Sequence, residues 1–139
     1  MPQASPYVIR ASEMSSYSPA NHTGTRNIRL VGPQVNGSKN LEIILGDIER
    51  AQGSPPHAHP DLEQAAYVLE GEALAEIDGV EHRVKAGDLL YFPARVFHSI
   101  QVLSERLKLL VIYAPPYGEA PEKLIRQRDT TALAHADPA

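Results

Sequence analysis

Two histidines one residue apart, His57 and His59, are followed closely by a carboxylate and a carboxamide, Glu63 and Gln64, and a further histidine, His98, lies downstream. Side chains of an extended strand alternate between its two faces, so a His-x-His pair presents both imidazoles on one face. That is how a β-protein offers two nitrogen ligands to one metal ion. The pair does not by itself require a metal, because histidines of intermediate burial are ordinary. Glu63 and Gln64 are neighbours, so on a strand only one of them can point into the same space. With no cysteine in the chain, thiolate sites, disulfides and cysteine nucleophiles are excluded, and any metal is held by nitrogen and oxygen. Such donors with open positions suit zinc, iron, manganese, nickel or copper, among which affinity order alone does not choose.

The elements that must position these groups read as strands. Residues 27–31, 41–49, 65–78, 81–85, 88–92, 98–103 and 106–113 are short apolar or alternating runs, separated by Gly32-Pro33, Asn36-Gly37, Gly53-Ser54-Pro55-Pro56, Asp78-Gly79, Ala86-Gly87 and Pro93. Asp78-Gly79 between two alternating runs is a hairpin signal. Six or seven strands at this spacing, with no long helical period between them, predict an all-β antiparallel sandwich or barrel. Pro60 and Asp61 break the chain after the histidine pair, and Gly87 to His98 reads as a turn, a buried strand, a strand-ending proline and a histidine opening the next strand.

The ends differ in character. Residues 1–26 are rich in Ser, Pro, Asn and Thr and read as an irregular arm with room for one short strand around Tyr7, Val8 and Ile9. The barrel domain is then expected over 27–118. In 119–139, Pro121 followed by Glu-Lys-Leu-Ile-Arg-Gln-Arg predicts a short helix over 119–128, with a frayed tail containing His135.

A chain of 139 residues with 42% hydrophobic content suits one domain with a proper core. The net charge of −4 and the scatter of Lys and Arg lack the footprint of a nucleic-acid binder, so a small-molecule or protein partner is expected. No stretch approaches the roughly 18 apolar residues of a membrane span, and no leader pattern opens the chain; a cytoplasmic location and no membrane partner are the expectation.

Taken together, the segments around His57–Gly71 and Gly87–His98 resemble the two motifs of the cupin superfamily, Gly-x5-His-x-His-x3,4-Glu-x6-Gly and Gly-x5-Pro-x-Gly-x2-His-x3-Asn. His57, His59 and Gly71 fit the first, and Gly87, Pro93 and His98 the second; the resemblance runs over residues 41–113. Three positions depart from the pattern: Ala51 stands where the opening glycine is usual, Arg95 at the second motif's glycine, and Val102 at its asparagine. Six residues separate Gln64 from Gly71, which places Gln64 and not Glu63 at the third ligand position. The resemblance thus implies a jelly-roll barrel with one divalent ion on His57, His59, Gln64 and His98, Glu63 being the alternative third ligand. It also implies a homodimer, formed through a barrel edge with the N-terminal arm.

Three imidazoles and a carboxamide leave the full charge of a divalent ion in place, which favours polarisation of a carbonyl, hydroxyl or water. The expected function is therefore a mononuclear metal-dependent enzyme acting on a small oxygenated organic molecule by isomerase, lyase or cyclase chemistry. A non-haem iron dioxygenase and a non-catalytic ligand-binding or sensor barrel are the alternatives. Candidate catalytic groups are Arg95, as a clamp for a substrate carboxylate; Tyr113, as a hydrogen-bond donor; and His22, should the arm cross the barrel mouth. The ordinary readings beside these are a solvent-facing arginine, a packing tyrosine (for Tyr67 and Tyr91 too) and an exposed loop histidine. His82 is expected on the surface.

Overall fold

The computed structural model describes residues 5–19, 23–118 and 120–126. Its ten strands are β1 (Ser16–Tyr17), β2 (Thr23–Val31), β3 (Glu42–Ala58), β4 (Glu63–Glu70), β5 (Glu72–Ile77), β6 (Val80–Lys85), β7 (Leu89–Phe92), β8 (His98–Val102), β9 (Arg106–Ala114) and β10 (Ile125–Arg126). All pair antiparallel in one sheet, with the order β6-β5-β8-β3-β9-β4-β7, β2 and β10 on β3, and β1 on β2. Inward residues from both ends of that order, Val84 on β6 and Leu90 and Phe92 on β7, belong to one buried cluster with Val68, Ala75, Val102 and Leu107. The sheet is therefore rolled onto itself, and the all-β antiparallel barrel expected from the sequence is the fold observed.

The long strand β3 makes the roll possible. Its first half pairs with β2 and β9, and its second half, from Gly53, pairs with β8 and then β10. The bend between the halves comes at Ala51 and Gly53, with φ of 62° and 142°. At Gly53 a Cβ would stand 2.1 Å from the Ile100 carbonyl oxygen, so only glycine lets β8 approach there. Gly53-Ser54-Pro55-Pro56, which reads as a break between elements, instead lies inside the strand. The run expected over 65–78 is divided into β4 and β5 at Gly71, whose φ is 94°.

The termini correct the sequence reading. Residues 7–9 are not a strand; the arm holds a 3-10 turn at Ala11–Glu13 and the two-residue β1, and its boundary at 26 falls inside β2. Pro121 does open a helical turn, but a 3-10 turn of three residues, Pro121–Lys123, and not a helix continuing through 126; residues 119, 127 and 128 of the expected helix lie outside the described residues. Ile125 and Arg126 then pair with Ala58 and His57: backbone bonding to the open end of β3 outweighs a weak local helical preference.

The two outer faces of the barrel have opposite chemistry. Around β5, β6 and β8 the outward residues include Glu72, Glu76, Arg83, Lys85 and Gln101, as expected for a half-buried sheet. On β3, β9, β4 and β7 they include the apolar Ile43, Leu45, Leu110, Ile112, Tyr67 and Leu89, with Asp47, Arg106 and Lys108 on the same face at one end of β3 and β9 and Glu63 on β4.

Candidate metal centre

His57 and His98 lie directly opposite each other in the β3–β8 register, so their side chains leave the sheet on the same, inner face. His59 follows one residue after the end of β3. The Arg95 backbone N–H holds it there by donating to the His59 carbonyl at 2.7 Å. All three are buried, at 4–5% exposure, and each can offer a ring nitrogen such that the three lie within 4.8 Å of one another. The expected convergence of the pair with His98 is therefore present, and these histidines could form a metal site.

The rings are oriented from behind. The His57 Nδ1 is 2.9 Å from the Pro55 carbonyl and the His98 Nδ1 3.2 Å from the Val96 carbonyl, each two residues back. As donors to those carbonyls both rings have Nδ1 protonated and turn Nε2 to the interior, the arrangement that supports metal-ligating histidines. His98 is also stacked on Phe92, with centroids 4.0 Å apart and planes 9° from parallel. Burial is the main force on the His57 imidazole and holds its pKa below the ordinary 6.5; the bond to Pro55 works against this, and the Arg126 charge adds to it. His57 is thus held neutral, the form in which an imidazole binds a metal.

Gln64 and Glu63 are separated by the alternation of β4. Gln64 lines the cavity that holds the three histidines, and its Oε1 is buried without a hydrogen-bond partner among the described residues. Glu63 is exposed on the opposite face, where its carboxylate accepts from the Tyr91 hydroxyl, and that bond raises the Tyr91 pKa. A buried carbonyl oxygen left without a donor is costly. Its presence beside three convergent imidazoles suits a site built for a cation. Three imidazole nitrogens and one amide oxygen are a chemically reasonable set for a divalent transition metal.

The remaining expectations divide. Tyr113 pairs opposite Gln64 in the β4–β9 register, lines the cavity and sets its ring 5.4 Å from that of His59. Arg95 is not brought to the site: its side chain is exposed and is not among the cavity-lining residues. The turn before β8 takes it through φ of 70°, so its contribution is the backbone bond to His59 and not a carboxylate clamp. His22 and His135 lie outside the described residues, and His82 is exposed as expected. Tyr117, which no sequence signal singled out, packs its ring edge-on at 4.8 Å from His59. Only the run of prolines before it marks that loop in the sequence.

The cavity is small, about 50 Å³, and mostly apolar, with Ile44, Ile48, Leu109 and Val111 along its wall and Thr25, Asn27 and Ser54 as polar groups. It has room for a small group rather than for a large ligand.

The Cupin domain family profile matches residues 45–113. Protein MJ1618 of Methanocaldococcus jannaschii is 33% identical over 70 residues, 50% of this chain and 56% of that protein, so the match spans little more than half of its length. The tetracenomycin polyketide synthase protein TcmJ of Streptomyces glaucescens is 27% identical over 111 residues, 78% of this chain and 73% of TcmJ. Among solved structures, the polyketide cyclase RemF from Streptomyces resistomycificus superposes with a TM-score of 0.69 at 18% identity, covering 78% of this chain and 79% of RemF.

Proposed function

The chain belongs to the cupin superfamily, and we propose that it is a mononuclear metal-dependent enzyme that transforms a small oxygenated organic molecule by isomerase, lyase or cyclase chemistry. In this reading His57, His59, Gln64 and His98 hold one divalent ion. The observation that carries it is the buried Gln64 Oε1, without a hydrogen-bond partner among the described residues, on the cavity wall beside three convergent imidazoles. The similarity to TcmJ, named as a polyketide synthase protein, supports an oxygen-bearing organic substrate.

A divalent ion held by neutral ligands supplies Lewis acidity toward a substrate carbonyl, hydroxyl or water. The chain's own residues supply the rest. Carbonyls of Pro55 and Val96 fix the His57 and His98 rings, so little reorganisation is needed when substrate oxygen arrives. The apolar wall of Ile44, Ile48, Leu109 and Val111 excludes water and strengthens electrostatic interactions inside. Tyr113 stands beside His59 with a phenol suited to donating a hydrogen bond to substrate oxygen or returning a proton to it.

The partner reading is a second copy of the chain. The described arm is engaged within its own subunit, β1 pairing β2 and Tyr17 lying under the Arg29 guanidinium at 4.1 Å. The apolar outer face of β3, β9, β4 and β7, with Leu89 64% and Tyr91 52% exposed, is a larger attraction than an edge. Apolar faces of this kind mark interaction sites, and in a two-fold dimer this face would be buried against the same face of a second copy.

Metal analysis of untagged protein tests the enzyme reading. Near one transition-metal ion per chain is expected, with loss of the metal in His59→Ala and His98→Ala. Protein that neither contains nor can be loaded with such an ion would sink it. If the metal is iron, oxygen uptake with catechols or diketones would instead favour dioxygenase chemistry.

A further inference from the structure

Glu42 is the one carboxylate among the fully buried side chains of the described residues, at 0% exposure, and it is far from idle. Its Oε1 accepts from the backbone N–H groups of Tyr117 and Gly118, both at 3.0 Å, across 75 and 76 residues of sequence. Its Oε2 accepts from the Arg29 Nε at 3.3 Å. Arg29 is in turn stacked on Tyr17. The first strand pair of the chain therefore grips the loop after β9 through a single charge.

What that grip positions is the Tyr117 ring. It is 7% exposed and shares a small apolar cluster with Leu62 and Leu124, away from the main core. Tyr117 and His59 line both the barrel cavity and a second cleft, bounded by Asp61, Pro115, Pro116 and Lys123. The two spaces thus share a wall made by Tyr117 and His59, whose rings are in contact. The barrel cavity alone, about 50 Å³, has little room for an organic substrate.

We propose that Tyr117, held in place by Glu42, is the cap of the site: it closes the outer approach to His59 and sets the size of ligand that reaches the metal position. The ligand-size part of this assignment rests on the proposed metal site; the closure of His59 does not. Displacing the ring joins cavity and cleft into one space, so the limit on ligand size lies in a loop and not in the rigid barrel wall. Glu42 is a positioning residue, acting only through the Tyr117–Gly118 backbone. A charged acceptor makes stronger bonds than a neutral one, so Glu42→Gln weakens the grip while leaving the tyrosine in place.

Two measurements on the full chain test this. In metal-free protein, the rate at which diethyl pyrocarbonate modifies His59, followed by peptide mass spectrometry, is expected to rise about tenfold or more in Tyr117→Ala through freer local opening, and by a smaller factor in Glu42→Gln. Exposed His82 serves as the unchanged reference. In cobalt-loaded protein, tropolone is expected to bind Tyr117→Ala much more tightly than wild type, read from the visible cobalt bands, while azide binds both alike. Equal His59 reactivity in all three proteins overturns the cap. A faster His59 in Tyr117→Ala with Glu42→Gln matching wild type overturns the role of Glu42. Unchanged tropolone affinity on a bound cobalt overturns the size limit. If no cobalt binds while His59 protection follows the expected order, the metal reading fails and the closure of His59 by Tyr117 stands.

Discussion

Replacing Gln64 by leucine should move stability in opposite directions with and without metal. In the metal-free protein the Gln64 Oε1 is buried with no hydrogen-bond partner among the described residues, and such an atom costs about 1–3 kcal/mol. Leucine has a similar volume, so the change removes the polar atom without opening a cavity. Gln64→Leu is therefore expected to stabilise chelator-treated protein by about 1 kcal/mol, which for a domain of this size raises Tm by roughly 3–5 °C. With metal the order reverses. An ion at 100 times its Kd stabilises the wild type by about 2.7 kcal/mol, and loss of one ligand that weakens binding tenfold removes about 1.4 kcal/mol of that gain. The assay is urea denaturation of wild type, Gln64→Leu and Glu63→Leu, each in EDTA and in saturating zinc or cobalt. Glu63 is exposed on the other face, so its variant should stay within about 0.5 kcal/mol of wild type in both series. If Gln64→Leu lowers stability in EDTA, or if metal raises its stability as much as that of wild type, the ligand assignment is wrong.

Three other outcomes follow from the same structure. Burial holds the His57 pKa below its ordinary 6.5, so the unfolded chain takes up a proton that the fold resists: metal-free stability should be full above that value and fall as pH drops from it toward the depressed folded value, by up to about 1.4 kcal/mol per pH unit, and His57→Gln should flatten that slope in urea midpoints measured across the range. Ala51 and Arg95 hold left-handed φ of 62° and 70°, where a side chain costs about 1–2 kcal/mol against the roughly 0.5–1 kcal/mol entropic cost of glycine; each change to glycine should thus be neutral to stabilising by up to about 1 kcal/mol, and clear destabilisation in thermal melts would show that the side chains do more than bear strain. Tyr67→Lys with Leu89→Glu should convert a dimer to a monomer in light scattering, whereas a wild type already monomeric at high concentration would remove the outer face from consideration.

The barrel was legible because alternation and turn residues carry it. Asp78-Gly79 links β5 and β6 at their ends, and every run of alternating apolar residues became a strand. The histidine cluster and the separation of Gln64 from Glu63 were legible for the same reason, since a period of two fixes which neighbour faces in. What the sequence hid depends on contacts remote in the chain. β10 exists because β3 leaves backbone groups open to it, and Tyr117 reaches the site because Glu42, 75 residues earlier, binds its N–H. Arg95 misled because type and spacing suit a clamp while the direction of its side chain is set by a left-handed turn that the sequence does not announce.

Those left-handed residues also bear on two of the three departures from the family pattern. Ala51 and Arg95 stand where the motifs have glycine, and both adopt the φ for which glycine is favoured. Each bend places a candidate ligand: the first turns β3 toward β8 and so sets His57 opposite His98, and the second aims the Arg95 N–H at the His59 carbonyl. Strain of this kind persists where the surrounding structure over-determines the backbone. Here the determining contacts are the close approach of Gly53 to Ile100 and the 2.7 Å bond to His59. The same strands that bring these groups inward turn apolar residues outward, Ile43 and Leu45 alternating with Ile44 and Gly46 along β3. A change at the outer face therefore acts on strands that line the cavity, and a dimer formed there would stiffen the wall on which Gln64 and Tyr113 stand.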